Sequence, residues 1–176
     1  MNLPNKLTIG RVVLVPFFII AYMQEHYTAA LIIFVVASLT DMLDGKIARA
    51  RNLVTNFGKI MDPLADKVLV YSALCLFIES DIIKAWMLII ILAREFAVAG
   101  MRTVAAAEGR VLAAGMSGKI KTVLQMVAVP CIILALAVPQ YPIIMTIGYW
   151  IFIASLVMTI YSGAEYIIRN KDVFSM

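Results

Sequence analysis

Charge is what this sequence lacks most. Only 15% of its 176 residues are Asp, Glu, Lys or Arg, while 63% are apolar. A water-soluble domain carries about 25% charged and roughly 45–50% apolar residues. The imbalance excludes an ordinary soluble domain and points to an integral membrane protein. Cysteine is scarce too. Cys75 and Cys131 lie in apolar runs, without a CxxC spacing or a nearby histidine. That excludes a thiolate metal site and leaves two small apolar side chains. The single histidine, His26, sits in a polar turn, so no Ser/His or Cys/His pair is available for a covalent intermediate. No small-residue cleavage site follows the first apolar run, which reads as a span rather than a signal peptide. The net charge of +4 invites a nucleic-acid reading. The bases cluster between apolar segments, where they orient a membrane protein, so nucleic acid is not an expected partner.

What is present is a series of long hydrophobic segments. At ~20 residues per span, the length allows one domain, residues 1–176, of about six helices. The expected order is a short polar start at Met1–Lys6, then helices over 7–23, 28–50, 59–78, 84–107, 119–138 and 143–168. Polar breaks fall at Gln24–His26, Glu79–Asp81, Glu108–Gly118 and Pro139–Pro142. Lys6 and Arg11 flank the first segment. Lys46, Arg49, Arg51 and Lys59 lie between the second and third, Arg102, Arg110, Lys119 and Lys121 between the fourth and fifth, and Arg169 and Lys171 after the sixth. The alternate turns hold only Lys84. The excess of bases on the cytoplasmic side of membrane proteins puts both termini there. The expected fold is therefore all-α and polytopic, with six transmembrane helices, cytoplasmic termini and a short N-terminal interfacial segment.

Four carboxylates fall between Asp41 and Asp66, at the cytoplasmic end of this layout. Ionised groups at the edge of a membrane interior are expensive and mark functional sites. Asp41 and Asp44 are three apart and Asp62 and Asp66 four apart, so each pair shares a helix face. Four facing acids need a counter-charge. Hard cations such as Mg²⁺ or Mn²⁺ prefer oxygen ligands and bind through carboxylates and substrate phosphates. Two such ions would clamp the attacking and leaving oxygens of a phosphoryl centre. Gly45, Ala48 and Gly58 each lie one turn to the cytoplasmic side of an acid, which leaves a slot that suits a nucleotide. The alternatives are small residues serving helix packing and acids serving a cation-coupled transporter. Against the transporter, the acids sit at one end and the chain lacks paired repeats.

The pattern Asp-x2-Asp-Gly-x2-Ala-Arg-x8-Gly-x3-Asp-x3-Asp, carried by Asp41, Asp44, Gly45, Ala48, Arg49, Gly58, Asp62 and Asp66, resembles the signature of the CDP-alcohol phosphotransferase family. The resemblance implies six transmembrane helices, a homodimer and divalent metal. It also implies transfer of a phosphatidyl-type group from a CDP-linked donor to an alcohol, with release of CMP. Asp41, Asp44 and Asp62 are then metal ligands, and Asp66 is the base with a metal contact of its own. Asn5, Thr8 and Arg49 join Gly45, Ala48 and Gly58 as expected contacts of the donor.

The acceptor is not fixed by that signature. Asn2–Arg11, Asn52–Lys59, Arg94-Glu95-Phe96 and Gly118–Thr122 resemble the bacterial phosphatidylglycerophosphate synthases within the family. This implies CDP-diacylglycerol as donor, glycerol 3-phosphate as acceptor and a bacterial inner membrane, with the site facing the cytoplasm. Inositol phosphate or serine remain as other acceptors. Charge agrees with an anionic acceptor. Arg94 lies ten residues beyond Lys84, about 15 Å at helical rise. An arginine that deep needs a strong reason. With Arg102, Arg110, Lys119 and Lys121 it forms the expected phosphate-binding set, since guanidinium groups pair bidentately with phosphate.

Overall fold

The computed structural model describes residues 3–50, 56–113 and 115–174. For residues 3–7, 41–50, 56–60, 62, 63, 66 and 174 it describes the course of the backbone but not the side chain. The helices are α1 (Leu3–Met23), α2 (Tyr27–Ala50), α3 (Asn56–Glu79), α4 (Ala85–Ala107), α5 (Met116–Ala137) and α6 (Pro142–Arg169). A 3-10 turn, Lys171–Phe174, follows, and no strand occurs among the described residues. α1 begins at Leu3, so the polar start is the first turn of a helix rather than a separate interfacial segment. Pro4 explains the difference. In a first turn its missing N–H forfeits nothing, and its fixed φ is already helical.

α5 and α6 are long and apolar enough to cross a membrane. α1 and α2 hold shorter apolar runs, Thr8–Met23 and Tyr27–Thr40. α4 has the length, but Arg94, Glu95 and Arg102 interrupt it. The chain is an all-helical, membrane-embedded bundle. Large side chains such as Phe17, Ile89, Trp150 and Val157 point outward, as a lipid-facing surface requires.

Three helices close in the same way. His26 N–H bonds the Ala21 carbonyl and Glu25 N–H that of Tyr22. Ile82 and Asp81 repeat the pattern on Phe77 and Ile78, and Arg110 and Gly109 on Ala105 and Ala106. The pivot residue in each is left-handed, at φ 59° for Glu25, 55° for Asp81 and 75° for Gly109. This reverse-turn cap satisfies the last carbonyls of a helix and stops it.

The buried stripes follow helical phase. Thr8, Arg11, Val15, Phe18 and Tyr22 line one face of α1 at spacings of three and four. That face packs against both α2 and α3, which touch each other only sparingly among the described residues. α1 thus holds the two acid-bearing helices together. α5 and α6 form the other large contact. α6 meets it with Gly148, Phe152, Ser155, Thr159 and Ser162. Each of those hydroxyls donates to a carbonyl of its own helix, so they are small and satisfied.

The bundle has two unlike halves. Phe18, Tyr22, Tyr27, Phe34 and Phe77 make an aromatic cluster, with Tyr22 hydroxyl 3.0 Å from Ser80 Oγ. Buried polar residues Thr8, Arg11, Lys121, Gln125, Ser155, Thr159 and Ser162 lie beyond it along the helices.

A Cβ at position 148 would sit 3.0 Å from Ile132 Cγ1 and 3.2 Å from the Ile132 backbone nitrogen. Backbone cannot yield as a side chain can. Gly148→Val should therefore part α5 from α6 and destabilise the bundle by roughly 1–3 kcal/mol. Thermal unfolding in detergent measures this, and an unchanged midpoint would contradict close α5–α6 packing.

Candidate active site

The helical backbone fixes the phase of the acids even where side chains are not described. On α2 the buried positions Ala30, Phe34 and Ala37 step by four and three. The same stepping along the helix reaches positions 41, 44 and 48. On α3 the buried positions Phe77, Ala73 and Leu69 step back to 66 and 62. The side chains of Asp41, Asp44, Asp62 and Asp66 lie outside the described residues, as do those of Asn5, Gly45, Ala48, Arg49 and Gly58. So does the whole of 51–55. No cluster of three or more metal-ligating side chains occurs among the residues that are described.

Near those helix ends some of the described side chains are polar and buried. Thr8 is fully buried. Arg11, 1% exposed, donates from Nε to the Ala37 carbonyl at 3.2 Å. Thr40 Oγ1 donates to the same carbonyl at 2.7 Å. Arg11 thus enters the interior one turn before Asp41, whereas its sequence position suggested only an orienting charge at a membrane edge.

The next cluster is centred on Glu95. Its Oε1 accepts from Arg94 Nη1 at 2.9 Å and from Lys121 Nζ, and Lys67 Nζ lies 3.3 Å from Oε2. Lys67 comes from α3, next in sequence to Asp66, and Lys121 from α5. Gln125, one turn beyond Lys121 and 4% exposed, has its Nε2 without a partner among the described residues. A cavity of about 60 Å³ lies between Lys67, Glu95, Lys121 and Gln125.

Arg94 faces a second, larger space. Its side chain passes between two glycines. A Cβ on Gly163 would come 2.9 Å from Arg94 Cγ, and one on Gly118 would come 3.0 Å from Nη2. Both glycines are therefore the room through which the guanidinium reaches. It lines a cavity of about 250 Å³ with Ser117, Gly118, Ser162, Glu165, Arg169 and Asn170. Gly115 caps α5 without a side-chain bond, so the free N–H groups of that helix start open beside the cavity. Two arginines and a helix N-terminus suit an anion, and the volume suits a small one.

The other expected phosphate ligands are spread more widely. Arg102 Nε donates to the Tyr166 hydroxyl at 3.1 Å, with its guanidinium 5.5 Å from the ring centre. Arg110 pairs with Asp172 at the surface. Lys119 is exposed, while Lys121, two residues on, is buried. Sequence reasoning missed Lys67, Ser117, Glu165 and Arg169. The Glu165-to-Arg169 spacing of four, just before the chain leaves the membrane, was the available signal. Tyr166, near the end of α6, is buried against Arg102.

Comparison with known proteins supplies the family. The family model for CDP-alcohol phosphatidyltransferase matches residues 1–161. A CDP-diacylglycerol--glycerol-3-phosphate 3-phosphatidyltransferase of Bacillus subtilis is 41% identical over 97% of this chain and 96% of its own. The protein of that name from Rickettsia felis is 36% identical over 98% and 97%. A probable phosphatidylglycerophosphate synthase of Mycobacterium tuberculosis is 35% identical over 96% and 81%.

Removing the hub should be severe. Glu95→Ala leaves the Arg94 and Lys121 cations without their shared anion, in a site where the carboxylate is 11% exposed. Breaking a buried pair this way costs roughly 3–5 kcal/mol. Chemical unfolding in detergent should record that loss, and a loss below about 1 kcal/mol would place the cluster in water. The Arg110–Asp172 tether should behave oppositely, as a weak and titratable contact. Its hydrogen bond to Arg110 holds the Asp172 carboxyl below its usual range. The tether is thus complete above the ordinary carboxylate pKa and lost as pH falls through the lowered folded-state value. Amide exchange at 170–174 should quicken on acidification and in Asp172→Asn at neutral pH. Unaltered exchange in both would show that the pair does not hold the terminus.

Proposed function

The chain belongs to the CDP-alcohol phosphatidyltransferase family, and from that we propose that it transfers the phosphatidyl group of CDP-diacylglycerol to sn-glycerol 3-phosphate, releasing CMP. The observation that carries the choice of acceptor is 41% identity, over nearly all of both chains, to a transferase named for it. The cavity beside Arg94 and Arg169 supports it, because a phosphate-bearing alcohol brings a dianion to the two arginines, whereas serine brings one carboxylate offset by its own ammonium group. We place the protein in a bacterial cytoplasmic membrane as one domain of six spans. It works there as a homodimer with both termini and the site on the cytoplasmic side. The distribution of bases supports the orientation, and the family resemblance supports the dimer.

In this proposal Asp41, Asp44, Asp62 and Asp66 hold two ions of Mg²⁺ or Mn²⁺, a fit supported by an all-oxygen donor set on two helix faces in phase with the interior. The metal would supply charge neutralisation at the diphosphate. Asn5, Thr8, Gly45, Ala48, Arg49 and Gly58 take the nucleotide end of the donor, while its acyl chains stay in lipid. Arg94, Arg169 and the start of α5 hold the acceptor phosphate. Arg102, Arg110, Lys119 and Lys121 give the approach a positive potential. Asp66 takes the proton of the acceptor's primary hydroxyl. That oxygen bonds to the lipid-side phosphorus, the bond from this phosphorus to the bridging oxygen breaks, and CMP departs. Positioning and charge carry such a displacement.

The test is CMP release by purified protein given CDP-diacylglycerol, Mg²⁺ or Mn²⁺ and a panel of alcohols. Glycerol 3-phosphate should be the preferred acceptor. Asp66→Asn should abolish turnover while CDP-diacylglycerol still binds. Arg94→Ala or Arg169→Ala should raise KM for glycerol 3-phosphate by about 10–100-fold, the range for a hydrogen bond to a charged group, and change that for the lipid much less. Serine preferred over glycerol 3-phosphate, or normal acceptor kinetics in both arginine variants, would contradict the proposal.

A further inference from the structure

The cavity beside Arg94 contains one group that an anion site does not need. Glu165 is the only carboxylate among its described lining residues, and it is 21% exposed at the side chain. A bare phosphate there would be repelled by it. Yet Glu165 is held in place rather than turned away. Ser117, on α5, donates from Oγ to Glu165 Oε2, and Arg169 Nη2 lies 2.8 Å from Oε1. An ionised carboxylate offers about four acceptor directions. Ser117 and Arg169 occupy two of them, so Glu165 keeps capacity for a donor from a ligand in the cavity. A phosphate monoester supplies no donor once doubly ionised. A hydroxyl beside the phosphate does.

We propose that Glu165 is the specificity-determining residue of the acceptor site, accepting a hydrogen bond from a free hydroxyl on the carbon next to the phosphate-bearing one. This rests on the acceptor reading above, in which that group is the 2-hydroxyl of glycerol 3-phosphate. Arg94 and Arg169 attract the phosphate, and Glu165 makes the site favour a polyol phosphate over phosphate alone. The repulsion and the hydroxyl contact act together. A donor-free alkyl phosphate such as methyl phosphate meets only the first, while the substrate offsets it with the second.

The experiment compares two acceptors, sn-glycerol 3-phosphate and 3-hydroxypropyl phosphate, which lacks only the 2-hydroxyl. The kcat/KM for each is measured by CMP release, with inhibition by methyl phosphate alongside. The wild-type protein should prefer glycerol 3-phosphate by about 10–100-fold, as for a hydrogen bond to a charged group. In Glu165→Met that preference should fall to within about threefold of unity, since no acceptor atom of comparable strength remains. Methyl phosphate should meanwhile inhibit the variant several-fold more strongly. Glu165→Gln keeps the shape without the charge. It should show a smaller fall in preference with the same gain in methyl phosphate inhibition, and it serves if the methionine variant does not accumulate. A merely structural role through Ser117 and Arg169 would depress both acceptors alike and weaken methyl phosphate inhibition. That result overturns the proposal, as does a wild-type protein indifferent to the 2-hydroxyl. If glycerol 3-phosphate supports turnover and the preference is unmoved in the variants, the role of Glu165 alone fails. If neither acceptor yields CMP, the acceptor reading fails with it.

Discussion

One carboxylate inside a lipid-facing bundle holds cations from three helices. Glu95 receives Arg94 from its own helix, Lys67 from α3 and Lys121 from α5. Charges that deep are tolerable only when paired, so the three helices are bound to one register at this level. The consequences spread outward from there. Lys67 adjoins Asp66, which ties the cluster to the acid-bearing turn of α3. Arg94 gives one nitrogen to Glu95 and carries its guanidinium on, past Gly118 and Gly163, to the cavity it shares with Arg169. A single ion-pair network therefore sets the spacing between the proposed chemistry at Asp66 and the proposed phosphate seat.

The same logic explains the division of the bundle. Its aromatic half packs Phe18, Tyr22, Phe34 and Phe77 without charge and provides rigidity. Its polar half uses the same stripes, at the same three-and-four spacing, with Arg11, Lys121 and Gln125 at positions that would otherwise be apolar. A membrane enzyme acting on a lipid and a water-soluble anion needs both: a scaffold that lipid cannot loosen, and an interior reachable from water at one end. α1 joins the two, since its stripe begins at Thr8 and Arg11 and ends at Tyr22.

Much of this was legible in the sequence. All six helices are found, with ends shifted by up to four residues, because apolar runs and polar breaks dominate a membrane chain. Asp41, Asp44, Asp62 and Asp66 stand out because each carboxylate opposes a strong hydrophobic background. Arg94 was singled out by its depth and by the resemblance carried in Arg94-Glu95-Phe96. What periodicity could not give was partnership. Lys67 was passed over, and Glu95 could be matched to no particular cation, because both depend on which helices meet. Glu165 and Arg169 lie near the end of a long apolar helix, where charges usually mean only the membrane surface. The polar opening was expected to be a separate segment, and Pro4 in a first turn shows why the helix begins earlier.

The central claim is that the acceptor's own hydroxyl oxygen ends up bonded to the lipid phosphorus. Glycerol 3-phosphate carrying ¹⁸O at its 1-hydroxyl tests it directly, with mass spectrometry of the lipid product and of CMP after one turnover. Direct displacement predicts one ¹⁸O in the new phosphatidyl product and none in CMP. Unlabelled lipid product, or label recovered in CMP, would contradict it.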